Sequence, residues 1–589
     1  MSLKDSILNF SQGSKRALNQ LKGYFTLKNV SYTTLLLNII CIIFGIVYIL
    51  FPISNIIWDI FGIILIIALL GNFLLVYLNS LHINKRIVIG NRLNILCYCF
   101  LIFSIIGMLS ILLANFRISV SYTNFTPELS VVLYVSYFGL VVIGALIAFL
   151  DIKNLKKKEL WDNNHISNRS VSQTIIRSKR LLKKILKIIS FLTYLIGVWF
   201  AFDILFGLID ITVVLVLIAG QFGIFFSFIF LANTILRLKL RRKKDNPKKY
   251  KRIMSIGLIT SIILILPLIS SPFTIFNAEY NFSSAFGSDW RSKIPTSAEH
   301  YFLKTHYSSV GYFLGIPPKD CIVKNQISFY NGTTGVDDGL KLYFDAYMPL
   351  NGGVGLPGQN STLIRIHGGG WVFGDKGWGN MLQMNKYFAA QGYVVFDIQY
   401  GVSKLNIDPL TPDYVNGNFS VDDMVRHIGL FVKYLSNHST EYGANLDSVF
   451  ISGGSAGGHL TCAAALGIYK GTYVHLFGTN LTIKGFIPFY PASGMNGYLG
   501  ISGFNSEFVN PKKMINETSP PCLIFQGTND ILCWFKISQN FKDTYTLNRN
   551  GECAIIWMPF GGHACDLYFN GYYNQIFLYY MERFMYLYR

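Results

Sequence analysis

The chain has 589 residues, room for two or more domains, and 51% of them are hydrophobic, too many for an ordinary soluble protein. Its net charge of +20 suggests a nucleic-acid partner, but the excess is local: residues 1–270 hold 30 Lys/Arg against 9 Asp/Glu, and residues 271–589 hold 21 against 22. Basic loops between apolar runs mark the cytoplasmic side of membrane spans, so nucleic-acid binding is set aside.

Seven runs are long and apolar enough to cross a bilayer, which takes about 20 helical residues. They are Tyr32–Phe51, Ile56–Leu78, Leu93–Ala114, Ser130–Leu150, Ile188–Leu208, Ile211–Leu236 and Met254–Ser270. If Pro52–Asn55 or Ile209–Asp210 is a buried bend, the number falls to six. No small-residue cleavage site follows a short apolar core near the start, so a cleaved signal peptide is not expected. The expected first domain is thus an all-α, multi-pass membrane domain over residues 1–270.

Charge in the connectors sets the expected orientation. The N-terminal segment, Asn79–Arg92, Asp151–Lys187 and Arg237–Arg252 carry 5, 3, 11 and 10 Lys/Arg, while the other three connectors share only Arg117. With seven spans the two sets alternate, which puts the N-terminus in the cytoplasm and everything after Ser270 on the extracellular or lumenal face. Seven N-x-S/T sequons, at Asn281, Asn331, Asn360, Asn418, Asn437, Asn480 and Asn516, agree with that side. The six cysteines of the same half permit disulfides without specifying any.

Residues 271–319, with Pro295, Pro317 and Pro318, read as a linker and leading arm. From 320 to 589, strands and helices alternate. The expected strands are Ile327–Tyr330, Leu342–Tyr347, Leu363–His367, Tyr393–Ile398, Val449–Ser452, Gly485–Phe489, Cys522–Phe525 and Ala554–Met558. The expected helices are Met381–Gln391, Val421–Asn437, Ala456–Ile468, Phe535–Leu547 and Tyr572–Tyr588. Apolar strands separated by helices predict an α/β domain with a mostly parallel sheet covered on both faces.

The strand S-V-F-I-S runs into G-G-S-A-G and then into an apolar helix, with Ser455 at the centre of Gly453-x-Ser455-x-Gly457. A sharp strand-to-helix turn exposes such a serine, and the glycines keep neighbouring chain clear of it. Upstream, a strand ends in His367-Gly368-Gly369-Gly370-Trp371, where glycines let backbone N–H groups approach a developing oxyanion. A further donor is the N–H of Ala456, the residue after the serine. His367 reads as a loop-positioning residue.

A serine needs a base, and the base needs an orienting carboxylate. Asp530 follows the strand P-C-L-I-F, and His563 follows I-I-W-M-P-F-G-G. His459 and His427 compete as bases but lie within expected helices. Asp566 competes with Asp530 but stands only three residues from His563.

These motifs resemble the HGGG-bearing esterase group of the α/β-hydrolase superfamily. The group includes hormone-sensitive-lipase-like enzymes, feruloyl/acetyl-xylan-esterase-like domains and isoprenylcysteine methylesterases. The resemblance covers about Lys341 to Arg589 through L-Y-F-D-A-Y-M-P, H-G-G-G-W-V-F-G-D-K, G-G-S-A-G-G-H-L, Q-G-T-N-D and G-G-H. It implies an α/β-hydrolase fold, a Ser455–Asp530–His563 triad, and an oxyanion hole of Gly369, Gly370 and Ala456. Gln526 departs from the histidine of many relatives, and Q-Y-G-V-S from their Asp-Tyr-Arg.

The expected function is a membrane-anchored serine carboxylester hydrolase, using no metal or other cofactor and acting on small-molecule or lipid esters. An acyltransferase with the same triad, or an inactive sensor or scaffold, is the alternative. Trp371, Trp378, Tyr490, Trp534 and Phe560 are candidate walls of an acyl pocket.

Overall fold

The computed structural model describes residues 26–52, 56–83, 91–124, 126–161, 176–207, 220–241, 246–377, 382–403, 411–495, 497 and 500–589. Two compact units divide the chain. One holds Met1–Leu112, Val131–Ala201 and Phe225–Ile263; the other holds Leu113–Ser130, Phe202–Ile224 and Leu264–Arg589.

The first unit is helical. Its elements are α1 (Leu27–Leu50), α2 (Ile56–Ile83), α3 (Asn91–Ser119), α4 (Pro127–Trp161), α5 (Ile176–Phe206), α6 (Gly223–Lys239) and α7 (Pro247–Ile269), some of which end in the second unit. Among the described residues, six helical stretches are long and apolar enough to cross a membrane: Leu27–Leu50, Ile56–Leu81, Arg92–Ser119, Pro127–Lys156, Lys183–Phe206 and Pro247–Phe286. The expected run Ile211–Leu236 lies partly outside the described residues, and its described part belongs to the 17-residue α6. Large side chains such as Leu36, Ile43, Ile60 and Ile106 are exposed, as a helix facing lipid requires. Polar side chains turn inward and pair. The amides of Asn38 and Asn72 exchange two hydrogen bonds of 2.8 and 3.0 Å between α1 and α2, and Asn79 donates to Asp151 at 2.6 Å between α2 and α4. Such pairs join helices where apolar contact alone gives no preference over lipid.

The second unit is built on an eight-stranded sheet: β1 (Ile322–Asn331), β2 (Lys341–Met348), β3 (Ser361–Ile366), β4 (Val394–Ile398), β5 (Asn445–Gly454), β6 (Ile483–Phe489), β7 (Cys522–Gly527) and β8 (Cys553–Met558). The order across it is β1-β2-β4-β3-β5-β6-β7-β8. The pairs β1–β2 and β2–β4 are antiparallel and the rest parallel. This is the α/β-hydrolase arrangement, and every expected strand lies within or overlaps one of these eight. β3 and β4 are buried throughout, as parallel strands covered on both faces must be.

The segment 271–319 differs from the expected linker. It opens with α8 (Ser271–Phe286), separated from α7 by Ser270 alone, and Pro272 starts the helix at a position where its missing N–H costs nothing. Phe282 and Phe286 then bury against Tyr580 and Phe584 of the C-terminal helix Tyr572–Tyr588, with ring centroids 5.2 and 5.0 Å apart. Arg583, buried, also pairs with Glu299 at 2.6 Å. Aromatic burial thus converts the arm into part of the domain.

Two chain segments from between helices of the first unit belong to this second unit. Lys386 donates to the carbonyls of Ser121 and Thr123 at 2.6 and 2.9 Å, and burial lowers its pKa to about 8. Tyr122 donates to Asp345 at 3.1 Å. Asn529 donates to the Ile204 carbonyl at 2.9 Å.

Below the glycine loop, Lys376 lies 2.8 Å from Asp345, and both side chains are fully buried. The ammonium has no well-aligned hydrogen bond, so the pair is held by charge. Removing one member leaves an uncompensated buried charge, which costs about 3–5 kcal/mol. Lys376→Met should therefore lower the thermal midpoint of the detergent-purified chain by several degrees. The exposed pair Lys293–Asp289 should show no measurable loss when Lys293 is replaced by Gln.

Candidate active site

β5 delivers Ser455 and α11, as we number the helix Ala456–Lys470 after α9 (Leu382–Ala390) and α10 (Val421–Tyr442). Ser455 has φ 59° and ψ −120°, a conformation that costs a non-glycine residue about 1–3 kcal/mol. The turn survives because its flanks are glycine. A Cβ on Gly457 would stand 2.3 Å from the Ile366 carbonyl oxygen, and one on Gly453 would stand 2.4 Å from the same atom. The end of β3 is thereby pressed against the turn, and the glycine loop that continues β3 lies beside Ser455.

In that loop Gly369, Gly370 and Trp371 have φ of 115°, 59° and 65°. A Cβ on Gly369 would fall 1.8 Å from the Phe373 carbonyl oxygen, so no other residue fits. Trp371 is held in its conformation by donating Nε1–H to His459 Nδ1 at 3.2 Å. His459 Nε2 donates in turn to the Phe508 carbonyl at 2.7 Å. His367 stacks on Tyr400 with centroids 4.3 Å apart and donates from Nδ1 to the Gly368 carbonyl at 2.8 Å. Burial lowers the pKa of His367 and of His459 to about 4, so both are neutral supports of the loop. Gly368 packs so that a Cβ there would lie 3.5 Å from Ser455 Cβ.

His563, in the turn after β8, joins the serine to a carboxylate. Its Nε2 lies 3.1 Å from Ser455 Oγ, and its Nδ1 lies 2.9 Å from Asp530 Oδ2. A carboxylate only accepts, so Nδ1 carries the proton and Nε2 is the acceptor for the serine hydroxyl. The other oxygen of Asp530 accepts from the N–H groups of Leu532 and Cys533 at 2.9 and 2.8 Å, which fixes the carboxylate in the turn after β7. Burial alone would lower the His563 pKa; the facing Asp530 carboxylate outweighs it and holds the imidazole above its ordinary value.

The competing residues are engaged elsewhere. Asp566 accepts from Tyr490 Oη at 2.7 Å, and burial raises its carboxyl pKa. Tyr490 sets its ring edge against His563, centroids 4.7 Å apart. His427 donates to Asp337 at 3.0 Å and accepts from the Gly401 N–H at 3.1 Å, which ties α10 to the β1–β2 hairpin. Gln526 donates to the Cys533 carbonyl at 3.0 Å and accepts from Ser538 at 2.6 Å. Its departure from histidine therefore leaves a residue that braces the Asp530 loop. Of the aromatic candidates, Trp378 lies outside the described residues, Trp534 is half exposed, and Trp371 is spent on His459.

Sequence reasoning missed Cys533. Its Sγ lies 4.0 Å from Ser455 Oγ, and with Asp530 and His563 it forms a buried group whose ligand-type atoms all lie within 4.8 Å of one another. A metal there would have to displace the Asp530–His563 hydrogen bond or bind at Nε2 in the serine's place. All nine cysteines are free thiols, and burial raises the Cys533 pKa. A water-sized cavity of about 10 Å³ sits beside Asn529 and Gly562, lined also by Asp203, Ile204 and Phe560.

Residues 344–482 match the family described as BD-FAE. A probable isoprenylcysteine alpha-carbonyl methylesterase of Arabidopsis thaliana is 24% identical over 261 residues, 38% of this chain and 48% of its own. A probable carboxylic ester hydrolase of Mycobacterium tuberculosis is 24% identical over 241 residues, 36% of this chain and 51% of its own. The chain thus spans about half the length of the curated relatives it matches. Among solved structures, apo esterase 2 of Thermogutta terrifontis is 22% identical with a TM-score of 0.34, covering 46% of this chain and 91% of that one. Esterase B of Lactobacillus rhamnosis, bound to an inhibitor, gives 22% and 0.34 over 43% and 81%. The C-terminal half of the chain, whose residues 344–482 match the BD-FAE family, is therefore of the α/β-hydrolase type.

Proposed function

We propose that this chain is a membrane-anchored serine carboxylester hydrolase acting through an acyl-enzyme on Ser455. The observation that carries the reading is the hydrogen-bonded line Asp530–His563–Ser455, drawn from three separate turns at one end of the sheet. As Ser455 Oγ attacks the ester carbonyl, His563 Nε2 takes its proton. The tetrahedral oxyanion is met by the N–H groups of Gly369, Gly370 and Ala456, and the start of α11 adds its positive end. His563 then gives the proton to the leaving alcohol, and water repeats the sequence on the acyl-serine. Asp530 keeps the imidazole in the productive tautomer. Protein groups alone complete these steps.

The names carried by the relatives support ester hydrolysis. Esters that partition into membranes are the substrate class we favour. Asp203 and Ile204, at the end of an apolar helix, line a small cavity with Asn529 and Gly562, the sequence neighbours of Asp530 and His563. The connector with Arg117 belongs to the hydrolase's compact unit, which supports placing that domain on the face opposite the basic loops, extracellular or lumenal, with the N-terminus cytoplasmic.

Ser455→Ala should abolish labelling by a fluorophosphonate probe and hydrolysis of a p-nitrophenyl ester while the protein still accumulates in membranes. Labelling at parental strength would place the nucleophile elsewhere.

Asp530→Asn should lower turnover by on the order of 10⁴-fold, and Asp566→Asn far less. His563 must be neutral to accept the proton, and Asp530 raises its pKa, so hydrolysis should fall as pH drops through a midpoint above 6.5. In the residual activity of Asp530→Asn that midpoint should move down, because the facing carboxylate no longer offsets burial of the imidazole.

A C-terminal tag should resist protease added to selectively permeabilised cells, and an N-terminal tag should be cut. Digestion of both would put the hydrolase domain in the cytosol.

A further inference from the structure

A second candidate site lies in the helical unit and owes nothing to the hydrolase reading. A cavity of about 290 Å³ is lined by Lys183, Lys187, Arg241, Asn246, Lys249 and Tyr250. Lys183 and Lys187 lie one helical turn apart in the first half of α5, Arg241 follows the end of α6, and Lys249 is in the first turn of α7. The first half of α5 and the facing ends of α6 and α7 therefore converge, with four cations and no acid among the described lining residues. Lys183 and Arg241 lie close enough to Lys187 to repel its charge.

Like charges sharing one opening repel each other, and an anion bound among them would relieve that repulsion. Among the described residues none of the four forms an ion pair with an acid. Arg241 Nε is buried without a hydrogen-bond partner. The neighbouring cations are disposed differently: Arg237 lies over the Phe191 ring at 5.0 Å and Lys239 over the Tyr98 ring at 4.8 Å. The charges left facing the cavity are those with no such cover. The N-terminus of α7 adds to them. Asn246 caps that helix by accepting from Lys249 N–H at 2.9 Å, and its first turn carries the positive end of a 23-residue helix.

We propose that this cavity binds a phosphate-bearing anion of two or more negative charges, held by Lys183, Lys187, Arg241 and Lys249. Its source is either a phospholipid headgroup reaching in from the membrane face or a soluble polyphosphate. Multiple charge and tetrahedral oxygens suit four converging donors, with the Arg241 guanidinium able to take two oxygens at once. Bound there, the anion would join α5, α6 and α7 at one end and stabilise their packing.

The full chain in phosphatidylcholine nanodiscs should bind short-chain phosphatidylinositol bisphosphate or its soluble headgroup, inositol trisphosphate, with affinity that falls as salt rises. The Lys183→Gln, Lys187→Gln, Arg241→Gln, Lys249→Gln variant should bind at least tenfold more weakly, and Lys187→Gln, Arg241→Gln should fall between. Tenfold tighter binding of the lipid than of the soluble headgroup would identify the membrane as the source, and equal binding a soluble one. Fluorophosphonate labelling should be the same in all variants, so failure here and failure of the hydrolase reading are read separately. No binding of either probe by the parent, binding indifferent to salt, or equal binding by the fourfold variant and the parent would overturn the proposal.

Discussion

The arrangement of the site depends on one close approach. The carbonyl end of β3, at Ile366 and His367, lies against the turn that carries Ser455 with no room for a side chain on Gly453 or Gly457. That contact holds a serine at φ 59° and sets the glycine loop beside its side chain. It also explains the buried polar groups beneath. The charge pair Lys376–Asp345 and the hydrogen bond from the Gly377 N–H to Asp397, 2.9 Å long, fix the loop's far end within the sheet. A loop with three consecutive left-handed residues is not stable by itself; it is stable when both its ends are over-determined.

Much of this was legible in the sequence, for physical reasons that differ by element. Phe535–Leu547 and Tyr572–Tyr588 were read to the residue because amphipathic spacing and turn residues mark both ends. Several strand ends were read short, by up to five residues at Ile322–Asn331, where polar residues alternate with apolar ones on an edge strand and blur the boundary, while His367 and Tyr393 each overran by one. Spacing favours Asp530, because Asp566 stands only three residues from His563, but it does not reveal what engages Asp566. It is the Tyr490 hydroxyl, 76 residues away in the chain, that takes Asp566. Cys533 was invisible for the same reason: only the fold of the turn after β7 brings its sulfur to Ser455. The helix at Ser271–Phe286 was missed because its stabilisation comes from rings in the C-terminal helix, whereas its own sequence reads as mixed.

The helical half follows another logic. Its outward faces are apolar, and its few inward polar groups find each other, as Asn38 and Asn72 do. Its Lys and Arg gather in a few connecting and helix-flanking stretches of the sequence, and four of them line the cationic cavity. The stretch Leu113–Ser130, whose one basic residue is Arg117, belongs to the hydrolase unit instead, including the Ser121 and Thr123 carbonyls that hold Lys386.

The central claim is that Ser455, rather than the nearby Cys533 thiol, carries the acyl group. The most direct measurement is peptide mapping by mass spectrometry after brief reaction of the purified full chain with a p-nitrophenyl ester at low pH, where deacylation is slow. The expected result is one acyl group on the peptide containing Ser455, absent from the Asp530→Asn protein on the same timescale. An acyl group on Cys533, or on any peptide lacking Ser455, would contradict it.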